Sequence, residues 1–353
     1  MRRFLALLVL LALMGGFAFG VNRFLESRRA NISSNASVSV PTETRASFVL
    51  PGTLFVAQHG DIYRLSGGYF ADLHLPTSGG MWMQPAVIPG TLNIVAVLRT
   101  AAFSDIYQMA GDGSGMQQLS HNKLPGDIQR NHWMFWPSVA SDGQTFYVSY
   151  DAPKSSASYE IEFAVWQGSL TGKLAAKQIT SPFGYTGGDV GAVPMANGNL
   201  LYAKYQIANG QVFSRLAIQV HALADPNYLT DASADCGQPA LSPDGLTVAM
   251  VCAGGTGLQS TRLEVASLTG TTLGPPRTLV DNCLCSAPSW APDGSGLVYY
   301  APADATGHFQ LWWIGGAAGV TPDATKQVTT NLDFDATSPP AWSALTNVPH
   351  QPR

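Results

Sequence analysis

The chain has 353 residues, of which 46% are hydrophobic and 12% charged, with a formal net charge of −4. That apolar content excludes a disordered polymer, and the scarcity of cations excludes the clustered Lys and Arg of a nucleic-acid binder. With 36 Gly and 23 Pro the chain turns often, as a fold built from many short strands requires.

The first element expected is a targeting segment. Arg2 and Arg3 precede an uninterrupted apolar run over residues 4–20, and Asn22, Arg23 and a charged stretch at 26–29 follow it. The run exceeds the ~7–15 residues of a signal-peptide core and meets the lower limit, ~17, for a membrane-spanning helix. Residues 1–30 are therefore read as a signal peptide cleaved near Ala18-Phe19-Gly20, or as a retained N-terminal membrane anchor. No Cys stands near the run, which removes a lipid-modified N-terminus. Either way the body is extracytoplasmic: secreted, periplasmic or held at the membrane. Residues 31–47 (NISSNASVSVPTETRAS) are rich in Ser, Asn and Thr and read as a flexible linker.

From there a phrase repeats. Residues 84–90 read QPAVIPG, 136–143 WPSVASDG, 192–198 AVPMANG, 237–245 GQPALSPDG and 286–294 SAPSWAPDG. The closing glycines fall at 90, 143, 198, 245 and 294, intervals near fifty that mark a repeat architecture. After each Gly comes a β-prone run: NIVAVL, TFYVSY, LLYAKY, TVAMV and LVYY. A further strand follows, such as DIYQM at 105–109 and QLWWI at 310–314. Each unit then ends on a near-constant tail: QQLS, KQIT, NYLT, RTLV and KQVT. Four strands per fifty residues is one propeller blade. The first unit, TLFVAQ and DIYRL at 53–65, lacks the phrase, and an orphan copy, SPPAWSA, stands at 338–344. The expectation is an all-β, six-bladed propeller over 48–345 with four-stranded antiparallel blades. The N- and C-terminal strands would pair to close it, and 346–353 would form a tail.

The combination of LSPDG at 241–245, APDG at 291–294, DIYQMAGDGSGMQQLS at 105–120 and KQIT at 177–180 resembles the propeller repeat of TolB. It is also similar to the propellers of prolyl-oligopeptidase-type peptidases. The resemblance implies the propeller fold over 48–345. It carries neither the separate α/β domain of TolB nor the hydrolase domain of the peptidases, so function stays open.

The loops joining successive blades gather around the channel, where ligands are expected. The longest, 120–135, carries His121, Asp127, Arg130, His132 and Trp133, with Phe135 at its end. Tyr185 and Asp189 stand in the loop at 181–191, and Asp235 before the fifth blade. These form the candidate ligand-binding face; the aspartates read equally as turn caps. Trp136 is expected in the core, and Asp244 and Asp293 in the phrase as turn residues. Cys236, Cys252, Cys283 and Cys285 are disulfide candidates in an exported chain, with three connectivities open and a staple between adjacent repeats favoured over a metal site. Gly-x-Ser-x-Gly and His-Glu-x-x-His motifs are both missing from the sequence. No catalytic residue, metal or cofactor is therefore expected. The reading is a monomeric binding scaffold for a protein, peptide or glycan at the cell envelope, touching the membrane only through an uncleaved N-terminal helix. The alternative is a propeller hydrolase or lyase acting on saccharide or peptide at the channel mouth.

Overall fold

The structure, a computed structural model, describes residues 45–77, 79–151, 161–254, 260–303 and 307–346. The expected signal or anchor segment and most of the linker and tail lie outside these residues. Among the described residues no helix is long and apolar enough to cross a membrane.

Six antiparallel sheets follow one another as the blades of a propeller. Blade 2 is Met81–Val87, Ile94–Arg99, Ser104–Met109 and Gln117–Gln118, from the innermost strand outwards. Blade 3 repeats the order with Met134–Val139, Thr145–Tyr150, Ala164–Ser169 and Lys177–Gln178. Blade 4 has Asp189–Pro194, Leu200–Ala208, Gln211–Gln219 and Asn227–Tyr228, its long hairpin turning on Asn209 and Gly210 at positive φ. Blade 6 has Ser286–Trp290, Gly296–Pro302, Phe309–Gly315 and Lys326–Gln327. In blade 1, Thr53–Gln58, Asp61–Ser66 and Tyr69–Asp72 are joined by Ala341–Ser343, which runs antiparallel to Thr53–Gln58 with Thr53 opposite Ser343. Blade 5 departs from four strands. Outside Cys236–Leu241, Thr247–Ala253 and Thr261–Thr269 it carries both Thr272–Leu273 and Arg277–Cys283.

The repeated residues explain the repeated geometry. In the phrase, the Asp caps a tight turn: Asp244 Oδ1 accepts from Leu246 N at 3.0 Å, and Asp293 Oδ1 from Ser295 N at 3.0 Å. The following Gly245 and Gly294 take φ of +75° and +72°, a conformation that costs glycine little. In the tail, the final hydroxyl replaces a strand partner. Ser120, Thr180, Thr230 and Thr329 each accept from a backbone N–H of the third strand, at 2.9–3.0 Å. The Gln two residues earlier donates to the carbonyl of that same Ser or Thr in three blades. In these four blades the outermost strand is only two residues long, so these side-chain bonds complete an edge that the backbone ladder leaves short.

Between blades the core is aliphatic and aromatic. Val95 and Val97 of blade 2 meet Phe146 and Val148 of blade 3, all fully buried. The chain joins the propeller slightly before residue 48: Arg45 bridges to Tyr69, and Ser47 N donates to Val328 O at 2.9 Å.

Both disulfides differ from a staple between repeats. Cys236 pairs with Cys252, which lies directly opposite it in the ladder of blade 5, so the two sulfurs meet within one sheet. Cys283 pairs with Cys285, two residues away, where the chain passes from blade 5 to blade 6. Cys236 and Cys285 occupy equivalent repeat positions, and each has a nearer partner: Cys252 opposite in the hairpin register for the first, and Cys283 two residues back along the chain for the second.

Candidate functional site at the channel mouth

In the inner strand of five blades the ladder slips at one place, between Met83 and Ala86, Phe135 and Ser138, Val190 and Val193, Gly237 and Ala240, and Ser286 and Ser289. Inside each slip sits one residue at positive φ: Gln84, Trp136, Gly191, Gln238 and Ala287, between +49° and +66°. This is the bulge geometry that bends a strand and re-aims its side chain. Four of the five precede a Pro, whose missing N–H makes a bulge the place where a strand tolerates it.

In two blades the side chain at this position ties onto the next blade, and Ser338 of the C-terminal copy ties onto Gln84. Gln84 Oε1 accepts from Trp136 N at 2.7 Å, Gln238 Oε1 accepts from Ala287 N at 2.6 Å, and Ser338 Oγ accepts from Gln84 N at 2.5 Å. Trp136 stands where the two glutamines stand but has no acceptor. Its indole is only partly buried, which corrects the expectation that it is core. It lines three adjoining cavities. Two of these, of 270 and 220 Å³, form the channel between the inner strands, walled by Pro85, Pro137, Pro239 and Pro340, by Gly191, and by Tyr205. Their walls carry no charged side chain. What they offer a ligand is van der Waals contact, amide and hydroxyl groups and an aromatic face.

The third cavity, 370 Å³, opens beside the channel between blades 2 and 3. Met83, Trp133, Phe135, Trp136, Ile161 and Phe163 supply its apolar wall, with Gln84, Thr337 and Arg99 beside them. Trp133 and Phe135 stack at 5.9 Å, and Phe135 and Trp136 each meet Phe163 edge-on at 5.7 and 5.8 Å. Edge and offset contacts of this kind hold aromatic clusters in fixed orientations.

Loop 120–135 is held at both ends. Buried Asp105 accepts from Ser120 Oγ and Asn122 N, both at 2.8 Å, and burial pushes its pKa above the usual carboxylate value. Asn131 accepts from Leu124 N and donates to Ala102 O. Asp151 accepts from Trp133 N at 2.9 Å and meets His132 Nδ1 at 3.1 Å.

The structure sorts the anticipated residues. Trp133 lies in the cavity wall and His132 beside it, packed at 5.2 Å from the Tyr150 ring. Asp127, just before the turn Ile128–Arg130, and Arg130, its last residue, form a loose pair 3.9 Å apart, and His121 is exposed. Tyr185, 78% exposed, stands on the neighbouring loop, tied by its amide to Glu162. Asp189 points the other way. It is wholly buried in blade 4, and Lys204 Nζ bonds its oxygens at 3.0 and 3.2 Å; burial, partly offset by Lys204, raises its pKa. Asp235, where the chain passes from blade 4 to blade 5, caps the third strand of blade 4, accepting from Ser214 N and Oγ at 2.6 and 2.9 Å. Met83, Gln84, Arg99, Phe163 and Thr337 entered the site unforeseen. The one available signal was the Trp that replaces Gln before Pro in the second copy of the phrase. Among the described residues no group of three His, Cys, Asp or Glu is placed to hold a metal ion.

Comparison with solved structures defines the class: the chain carries a TolB-type six-bladed propeller. It superposes on TolB of Acinetobacter baumannii with a TM-score of 0.60 at 15% identity, covering 82% of this chain and 66% of that one. A TolB-designated protein of Agrobacterium tumefaciens matches with a TM-score of 0.55 at 12% identity, covering 83% and 94%. A GH74 enzyme of Niastella koreensis matches at 0.50 and 14%, covering 81% of this chain and 47% of that one. No family model and no curated protein matches the sequence.

Proposed function

We propose that this protein is an exported, monomeric binding scaffold whose loop face, centred on Trp133, Phe135 and Trp136, takes a protein, peptide or glycan at the cell envelope. The observation that carries the reading is Trp136. In blade 3 the position that in blades 2 and 5 holds a Gln tied to the next blade holds a partly exposed aromatic shared by three cavities, in a site whose channel walls are neutral. Solvent-facing Trp and Phe held rigidly by their neighbours are the side chains that dominate binding surfaces. The TolB-type fold and the two disulfides fit an extracytoplasmic setting. On this reading residues 1–30 direct export or anchor the chain, 31–47 tether it, and Ala341–Ser343 latches the ring onto Thr53–Gln58.

The test is capture from envelope extracts and a glycan array by wild type, Trp133→Ala and Trp136→Ala. Each substitution should weaken the captured partner by at least about tenfold, the loss typical of an aromatic anchor. Binding untouched by both would move the site elsewhere.

A hydrolase or lyase is the second reading. It is favoured by His132, whose Nδ1 faces Asp151 at 3.1 Å, the way a buried carboxylate orients a base. His132→Gln should then abolish turnover of a saccharide or peptide while binding persists.

A further inference from the structure

The cavity between blades 2 and 3 has an unusual rim. Its wall is almost wholly apolar, yet Arg99, the last residue of the strand Ile94–Arg99, lines it with its side chain in solvent. Among the described residues no carboxylate and no carbonyl accepts from this guanidinium, and it faces no aromatic ring as a cation–π partner. Five planar donors therefore stand unused at the edge of an aromatic box. A guanidinium is built to take a carboxylate in a two-point contact, and more tightly where the surroundings exclude water.

The opposite wall fixes what accompanies the carboxylate. Trp133, Phe135, Trp136 and Phe163 are mutually locked by edge and stacked contacts. Gln84, the nearest amide, is already engaged on both sides, by Trp136 N and by Thr337 O. The remaining space, 370 Å³, lies at the small end of the range for ligand pockets, ~300–1,000 Å³. It suits one ring system rather than an extended chain.

We infer that this cavity binds an aromatic carboxylate: a ring seated among Trp133, Phe135, Trp136 and Phe163, with its carboxylate gripped by Arg99. The inference rests on the loop face being a binding site and adds the ligand's chemistry. Two sources share that chemistry, a free arylalkanoic acid and an aromatic residue at the carboxy terminus of a polypeptide.

Calorimetric titration of the intact protein separates them. One arm uses 3-phenylpropanoate and 3-phenylpropanamide; the other uses a short peptide ending in Phe and the same peptide amidated at its terminus. In at least one arm the acid should bind and its amide should bind about tenfold more weakly or not at all, the loss expected for a charge-assisted contact. Arg99→Gln, at an exposed position that leaves folding intact, should erase that preference, and Arg99→Lys should restore only part of it. Phe135→Ala should weaken acid and amide alike. The inference falls if neither acid binds, if acid and amide bind equally, or if Arg99→Gln leaves the preference unchanged. Partner capture that depends on Trp133 alongside such a failure would overturn this ligand assignment and leave the scaffold reading standing.

Discussion

Blades 3 and 5 are built from the same phrase and put it to different uses. In blade 5 the residue before the Pro is Gln238, whose side chain accepts from Ala287 N and so ties blade 5 to blade 6. The same inner strand is bonded through Cys236 to Cys252 on the next strand. Blade 3 has no disulfide, and Trp136 at the corresponding bulge ties nothing onward; it faces the channel and the aromatic cavity instead. One position thus changes from a tie to an aromatic face on the channel and cavity without disturbing the turn, the bulge or the tail. In a repeat fold the scaffold is secured many times over, so a single blade can release one tie and expose a large side chain. The cost is local, of the order of one hydrogen bond, ~1 kcal/mol.

The sharpest way to break this comparison is to remove the ties of blade 5. The Cys236–Cys252 bridge closes a loop with a sequence separation of 16, for which the chain-entropy model gives about 3 kcal/mol. Cys236→Ser with Cys252→Ser should therefore lower unfolding stability by about that amount in urea, while ligand binding at blade 3 stays intact in the folded protein. Binding lost together with the bridge, under conditions where the variant remains folded, would show that the two blades are not independent.

A smaller effect is expected at the bulge itself. Gln238→Leu leaves the Ala287 N–H without its acceptor, and because Gln238 faces the channel and water can replace it, the loss should be about 1 kcal/mol. Trp136→Gln is the reciprocal exchange. It removes the edge contacts with Phe135 and Phe163 and should therefore cost about 1 kcal/mol of stability, and remove binding at the loop face. A large destabilisation from Trp136→Gln would mean that the indole is core after all.

These contrasts also mark what could be read in advance. The repeated blades, the turn aspartates and the Ser or Thr that ends four of the tails recur at fixed places in the repeat, and that recurrence is what the sequence displays. Asp189 shows the opposite case. Its partner Lys204 is on the next strand, 15 residues away, and only the register brings the two together in the interior. Trp136 was visible as a residue and misplaced as core, because its exposure depends on a one-residue slip in the ladder that apolar periodicity does not reveal. Arg99 carried no local signal at all; the role proposed for it depends on Phe163, which lines the same cavity through the packing of blade 3 against blade 2.

The smallest effect tests what the two blades share. Asp244 in blade 5 has its pKa held below the usual value of 3.8 by Ser242 Oγ–H first and by Leu246 N–H second. Asp142 in blade 3 is lowered in the same way by Thr145 Oγ1–H, then by Gln144 N–H and Thr145 N–H. A carboxylate with a depressed folded pKa adds stability that is present above its unfolded value and lost as pH falls through the folded one. Asp244→Asn should accordingly be less stable than wild type at pH 7, by less than about 0.5 kcal/mol because the group is open to solvent. That gap should close as the pH falls below about 4, where the wild-type carboxylate also becomes neutral. Urea unfolding at neutral and acid pH measures the gap directly. Asp142→Asn should follow the same pH course, since the turn does not sense whether the bulge ahead of it holds Gln or Trp. A different course in blade 3 would mean that opening the binding site also altered the turn beneath it, so that scaffold and site are one structure.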